Sequence, residues 1–158
     1  MPDYTDRTHH RQENEFHTLC LDWRFRILNA LRDYADSITR LDTPQLLPSL
    51  HEHYGEHILS LLRELRQSAM RITTIIDDQP IPPTNDNAEY LTRLFVDIRN
   101  PISSFSILDQ IVSSAPPAPV GDASGVDAHM QRLVAGGHDL NHLLEELHSL
   151  RKRFTDGA

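Results

Sequence analysis

Two pairs of histidines in the sequence have the spacing of a metal site on a helix. The chain contains ten histidines among its 158 residues, and four of them form the pairs His53 with His57 and His138 with His142. Residues four apart on a helix project from the same face, so the two side chains of a pair can bind one zinc or iron ion. Two such pairs facing each other across a helical bundle would form one metal site.

The rest of this metal-binding pattern is incomplete. Glu145 and His148 form one Glu-x-x-His unit, whereas a carboxylate-bridged di-iron bundle contains two such units. The histidine pairs resemble those of hemerythrin-like proteins, but the full spacing of that family is not reproduced. His138 and His142 also fall on the flank of the apolar face of their helix. A His-rich metal-binding bundle is therefore an alternative interpretation, and we expect neither a metal nor another cofactor.

The elements that must position these side chains are predicted to be helices. Apolar residues make up 39% of the chain and charged residues 24%, which is ordinary for a folded domain. Strand-like alternation is absent, while apolar residues recur at helical spacings of three and four. In the first helix these residues are Phe16, Cys20, Trp23, Ile27, Leu31, Tyr34, Ile38 and Leu41. The prediction is an all-α, antiparallel (up-down-up-down) four-helix bundle with helices over about 12–41, 45–77, 85–114 and 122–154.

The predicted domain organisation is a short arm followed by a single helical domain. Residues 1–11 are polar and have no apolar period, so we predict a flexible arm. The bundle domain covers 12–158 and consists of two long helical hairpins, 12–78 and 86–155. A proline-rich linker over 79–85 separates the hairpins, because its prolines cannot continue a helix.

Charge and composition exclude several classes of partner. The net charge of −8 argues against nucleic acid, since phosphate binding needs a basic surface. Cys20 is the only cysteine, which excludes an intrachain disulfide, and its place on an apolar face predicts a small buried residue. No segment approaches the ~20 apolar residues of a membrane span, and no apolar N-terminal run suggests a signal peptide. We therefore expect a cytoplasmic protein without a membrane partner.

Residues 91–112 combine an amphipathic helical pattern with an internal proline. Pro101 removes one backbone hydrogen bond, at a cost of roughly 3 kcal/mol in a helix interior. The apolar period continues beyond the proline, which predicts a kinked but continuous helix. The predicted apolar face consists of Leu91, Phe95, Ile98, Ile102, Phe105, Leu108 and Val112. Val96 falls off this face and is predicted to point outward.

The sequence around Pro101 resembles the H-box, the phosphoacceptor motif in the dimerization and phosphotransfer domain of sensor histidine kinases. That motif reads His-Glu-(Leu/Ile)-Arg-(Thr/Asn)-Pro-(Leu/Ile), and Asp97-Ile98-Arg99-Asn100-Pro101-Ile102 follows it from its second position onward. The second helix of that domain is similar to Gln131-Arg132-Leu133 and Leu143-Leu144-Glu145-Glu146-Leu147 in this chain. The resemblance covers residues 86–154 and implies an antiparallel helical hairpin.

The resemblance implies docking without phosphoryl transfer. Val96 stands where the family has its phosphorylated histidine, and it has no nucleophilic nitrogen to accept a phosphoryl group. We also expect no kinase ATP-binding domain, because the sequence leaves no room for one after its last predicted helix. We therefore expect a non-catalytic regulatory protein of two-component signalling, and no enzyme. Its expected partner is the receiver domain of a response regulator or a sensor histidine kinase.

The predicted partner-binding surface lies on the H-box-like helix. Its residues are Val96, Asp97, Arg99, Asn100, Pro101 and Ser103. A second alternative is an unrelated helical interaction module in which the proline is only a kink, and a Val96 buried in the core would favour that alternative. Both a monomer and a homodimer fit the sequence.

Overall fold

The computed structural model describes the backbone of residues 2–82, 87–115 and 125–156, and the side chains of residues 15–82, 87–115 and 125–154. Every regular element in these ranges is a helix, so the predicted all-α class is confirmed. The helices are α1 (Pro2–Leu41), α2 (Leu47–Tyr54), α3 (Ile58–Asp77), α4 (Asn87–Ser103), α5 (Ser106–Ser114) and α6 (Val126–Asp156). Residues 83–85 of the predicted linker lie outside the described residues.

The first helix supplies the longest apolar face of the core. α1 begins at Pro2 and so includes residues 2–11, which the sequence assigns to an arm; the flexibility of that arm stays a prediction. From Phe16 to Leu41, each residue of the predicted apolar face is at most 3% exposed. α1 packs against α3 and α6, and α4 packs against the same two helices. None of the described helices combines the length and apolarity needed to cross a membrane.

A glycine divides the second predicted helix into α2 and α3. Gly55 has φ +98°, a conformation that only glycine adopts without strain. Its N–H donates to the carbonyl oxygen of His51 at 2.9 Å, which closes the last turn of α2. The helix resumes at Ile58. The prediction of one continuous helix over 45–77 was therefore wrong at this glycine.

A second break divides the H-box-like helix two residues after its proline. α4 ends at Ser103 and α5 begins at Ser106. The N–H groups of Ser104 and Phe105 donate to the carbonyl oxygens three residues earlier, at 3.3 and 3.1 Å, and such bonds tighten a turn. The hydroxyls of Ser103 and Ser104 also donate to carbonyl oxygens three residues earlier, each at 2.6 Å. The predicted kinked but continuous helix is therefore two helices joined by a tight turn.

Glycines and one tryptophan set how closely α6 approaches its neighbours. A Cβ built on Gly136 would lie 3.3 Å from Cδ2 of Tyr34 on α1, and one on Gly137 would lie 3.4 Å from Cβ of Phe105 in the turn before α5. Trp23 on α1 donates its indole N–H to the carbonyl oxygen of Leu143 on α6 at 2.8 Å. The two helices are thus joined by a buried hydrogen bond as well as by close packing.

Arg24 joins α1 to the end of α3 and the start of α4. Its guanidinium donates to the carbonyl oxygens of Ile76 and Gln79, each at 2.9 Å, and to the hydroxyl of Tyr90 at 3.2 Å. The carbonyl oxygens at the end of a helix have no partner within the helix, and a cationic donor satisfies them favourably. This partly buried arginine therefore caps α3 from a neighbouring helix.

Replacing Arg24 with methionine is expected to lower the free energy of unfolding by about 2 to 3 kcal/mol, because hydrogen bonds from a charged donor are lost while the carbonyl groups stay partly buried. The measurement is urea unfolding followed by circular dichroism. Arg71→Met is the matched control, since Arg71 on α3 is exposed, and its effect should stay within about 0.5 kcal/mol. Equal effects of the two substitutions would contradict the capping role of Arg24.

Candidate partner-binding surface

α4 buries one face in the core and leaves the H-box-like residues on the other. Its buried residues are Tyr90, Leu91, Leu94, Ile98 and Ile102. The predicted apolar face was wrong at one position, because Leu94 is buried whereas Phe95 is only partly buried. With Leu94 in the core, the exposed side of α4 is centred on Val96.

The predicted partner-binding residues lie on the exposed side of α4. Val96 is 46% exposed, so the burial that would have favoured an unrelated module is not observed for this residue. The structure also exposes Asp97, Arg99, Asn100 and Ser103, and it buries Pro101 partly. Val96, Asn100 and Ser103 follow one another at spacings of four and three residues, so they lie along one line of the helix surface.

The structure adds one residue that the sequence prediction missed. Ile107 on α5 is 45% exposed and follows Ser103 by four residues. Phe105, between them, keeps helical backbone angles of φ −68° and ψ −21°, so the line continues across the break. The spacing is visible in the sequence, but the predicted surface ends at Ser103. We call Val96, Asn100, Ser103 and Ile107 the H-box face.

Asp97, at the edge of the H-box face, is held by the segment that follows α3. The side-chain amide of Gln79 donates to Oδ2 of Asp97 at 2.7 Å. Gln79 in turn is fixed by its backbone, since its carbonyl oxygen accepts from Arg24 and its N–H donates to the carbonyl oxygen of Ile76 at 3.2 Å. The position of this carboxylate therefore depends on α1 and α3 as well as on α4.

An aromatic and cationic cluster borders the other edge of the H-box face. The rings of Phe95 on α4 and His148 on α6 lie with their centroids 5.0 Å apart. The guanidinium of Arg151 lies over the ring of Phe95, 5.1 Å from its centroid, which is within the range of a cation–π interaction. Arg99 is one turn beyond Phe95 on α4, so this edge of the face is basic.

The two histidine pairs of the alternative metal site do not come together among the described residues. His53 lies in α2, whereas His57 immediately precedes α3, and the break at Gly55 between them means that they do not share one helical face. His138 and His142 do lie on one helix, and both are exposed. Among the described residues, no three His, Cys, Asp or Glu side chains come together as a group that could hold a metal ion.

His138 and His142 on α6 each have a carboxylate neighbour. Nε2 of His138 lies 3.1 Å from Oδ2 of Asp109 on α5, and Nε2 of His142 lies 3.6 Å from Oε1 of Glu146. These pairs are exposed to solvent, where such ion pairs contribute at most about 1 kcal/mol. The contact of His138 with Asp109 joins α6 to α5. Among the described residues, neither histidine belongs to a group that could hold a metal ion.

The single cysteine is a buried core residue, as predicted. Cys20 is 2% exposed, and burial raises the pKa of its thiol to about 12, against the smaller lowering influence of Arg24. A thiol with so high a pKa is almost wholly protonated at neutral pH, so it is a poor nucleophile. Burial likewise raises the pKa of the Tyr34 hydroxyl. Neither group offers a reactive centre.

Comparison with known proteins gives no relative. No family model matches the chain, and neither a curated protein nor a solved structure matches it. No family is shown. The likeness to the H-box therefore rests on the residues themselves, and the exposed face just described is the structural observation that bears on it.

Proposed function

We propose that the protein is a non-catalytic regulatory protein of two-component signalling that docks its partner on the H-box face. The partner is the receiver domain of a response regulator or the dimerization helices of a sensor histidine kinase. The observation that carries this proposal is the 46% exposure of Val96, the residue at the phosphoacceptor position. A side chain at that position must reach a partner, and this one is available to do so.

The chemistry of the H-box face suits binding more than catalysis. Exposed apolar side chains stand at its two ends, Val96 and Ile107, about 16 Å apart along the helix axis. Asn100 and Ser103 lie between them and offer polar groups, as in interfaces where apolar contacts surround hydrogen bonds. A valine at the phosphoacceptor position supplies no nucleophile, so the partner would be bound without phosphoryl transfer.

The four-helix bundle belongs to the same proposal. We infer that α1, α2 with α3, α4 with α5, and α6 form its four antiparallel members. The packing of both α1 and α4 against α3 and α6 supports this architecture, because it closes a ring of four contacts around one core. A cytoplasmic location also follows from the proposal, since receiver domains and kinase dimerization helices are cytoplasmic partners in the family that the H-box resembles.

The proposal predicts binding that depends on Asp97 and Asn100. Purified receiver domains and kinase dimerization domains from the same genome are tested against the immobilised protein by biolayer interferometry. At least one should bind, and the double substitution Asp97→Ala with Asn100→Ala should weaken that binding at least tenfold, about 1.4 kcal/mol. The proposed function fails if nothing binds, or if the double variant binds as tightly as the wild type.

The control for this experiment is a double substitution on another helix. Gln67 and Arg71 on α3 are both exposed, so Gln67→Ala with Arg71→Ala removes a similar amount of polar surface. Binding should be unchanged in this variant. A loss of binding in the control alone would assign the partner to α3 and remove the H-box face from consideration.

A further inference from the structure

The exposed apolar residues outside the H-box face are concentrated beside a groove between α1 and α3. Five large apolar side chains are exposed among the described residues; besides Val96 and Ile107 they are Leu21 (50%), Phe25 (69%) and Met70 (59%). The groove has a volume of about 940 Å³, and both Phe25 and Met70 line it. Such a concentration of exposed apolar surface is typical of an interaction site.

The lining of the groove combines small side chains with larger apolar ones. Ala35 on α1 and Ala69 on α3 line it, and Met70 stands beside them. Phe25 lies ten residues before Ala35 on α1, about 15 Å along the helix axis. The groove therefore has an exposed phenyl ring near one end and small side chains about 15 Å from it along α1.

The alignment of α1 with α3 determines where Asp77 and Arg32 lie along the groove. Arg63 donates to Asp42 at 2.9 Å and Arg66 donates to the hydroxyl of Thr39 at 3.4 Å, so the two helices run antiparallel. Continuing this register sets Met70 level with Ala35 and sets Asp77 level with Leu28. The side chain of Asp77 thus lies near the Phe25 end of the groove, with Arg32 about one turn nearer its centre.

Asp77 and Arg32 are not paired with an opposite charge among the residues whose side chains the structure describes. Both side chains are exposed and line the groove. Neither forms an ion pair with any described residue; the guanidinium of Arg32 donates only to the side-chain amide oxygen of Asn29. A carboxylate and a guanidinium that are left unpaired beside exposed apolar residues favour a partner that carries the opposite charge at each position.

A second copy of the chain satisfies both features at once. A two-fold axis that crosses the groove midway between Phe25 and Ala35 brings each copy's Phe25 level with the other copy's Ala35 and Met70. The same operation brings each copy's Asp77 level with the other copy's Arg32. One symmetry operation therefore sets each exposed phenyl ring level with small side chains of the other copy and sets opposite charges level with each other, as an isologous interface requires.

We propose that the groove between α1 and α3 binds a second copy of this chain and forms an antiparallel, two-fold symmetric dimer. The interface lies on the N-terminal hairpin, outside residues 86–154, where the H-box resemblance is found. It leaves Val96 and Ile107 on a separate pair of helices, so a dimer presents two H-box faces.

Sedimentation velocity over a wide range of protein concentration tests the proposal. The wild type should form a dimer, and the double substitution Phe25→Glu with Met70→Glu should raise the dimer dissociation constant by about a hundredfold, since exposed apolar anchors dominate such interfaces. Both residues are exposed, so the fold should persist, which circular dichroism checks. Val96→Glu with Ile107→Glu is the control and should leave the dissociation constant unchanged.

Reversal of charges tests the geometry of the dimer. Asp77→Arg should weaken the dimer about tenfold by placing two guanidinium groups together, and adding Arg32→Asp should restore the wild-type dissociation constant. A wild type that stays monomeric, a dimer that is insensitive to the change at Phe25 and Met70, or a charge reversal without restoration would each overturn the proposal. No signalling partner enters this experiment, so its outcome is independent of the proposed function.

Discussion

Replacing Trp23 with alanine is expected to lower the free energy of unfolding by about 3 to 5 kcal/mol. Trp23 is 1% exposed and lies between α1 and α6, so truncation leaves a cavity that neighbouring helices cannot fill without moving. The substitution also removes the indole donor that bonds the carbonyl oxygen of Leu143 at 2.8 Å. Urea unfolding followed by circular dichroism measures the effect, because Trp23 is the only tryptophan and its fluorescence is lost with it.

A second substitution at the same position separates packing from hydrogen bonding. Trp23→Phe keeps an aromatic ring in the core but has no N–H group, and it should cost less than the alanine variant by about 2 kcal/mol. Val96→Ala is the exposed control, expected to change stability by no more than about 0.5 kcal/mol. If Trp23→Ala were as stable as this control, Trp23 would not be the anchor between α1 and α6.

Replacing Gly137 with leucine is expected to destabilise the fold by about 3 kcal/mol. Gly137 is buried on α6, and a Cβ there would lie 3.4 Å from Cβ and 3.7 Å from the carbonyl oxygen of Phe105. A methyl group fits this space, but the further carbons of leucine would meet the turn between α4 and α5. Thermal and urea unfolding measure the change.

Alanine at the same position should have the opposite effect on the free energy of unfolding. Gly137→Ala places its Cβ at ordinary contact distances and gains up to about 1 kcal/mol of helix propensity, so the variant should be as stable as the wild type or more stable. Ala135→Leu is the matched control, since Ala135 is exposed on the same helix. A destabilised Gly137→Ala, or a stable Gly137→Leu, would show that α5 does not pack on α6 as described.

The sequence was sufficient where one physical effect dominated. The apolar period of α1 predicts each buried residue from Phe16 to Leu41, because an isolated amphipathic face has only one way to leave water. The position of Val96 off the apolar face of α4 also predicts its exposure. In both cases the hydrophobic effect alone decides the outcome, and no neighbouring helix has to be known.

The sequence was insufficient to predict helix ends, burial and contacts where two local effects compete or where the outcome depends on a residue distant in the chain. Gly55 is an isolated glycine within a helical apolar pattern, and whether such a glycine is tolerated in a helix or ends it depends on the packing around it. Leu94 and Phe95 are adjacent apolar residues, and the packing of α3 and α6 on α4 decides which of the two is buried. The bond from Gln79 to Asp97 joins residues 18 apart across a linker, so no periodic pattern could indicate it.

The contacts of Gln79 have a consequence for how the two hairpins communicate. The segment between the two hairpins also joins them through hydrogen bonds. Arg24 on α1 donates to the carbonyl oxygen of Gln79, and the side-chain amide of Gln79 donates to Asp97 on α4. A change in α1 would therefore reach the carboxylate of Asp97, at the edge of the proposed docking surface, through two hydrogen bonds. The N-terminal hairpin carries no recognisable motif, but its contacts with Gln79 help to position Asp97 at the edge of the H-box face.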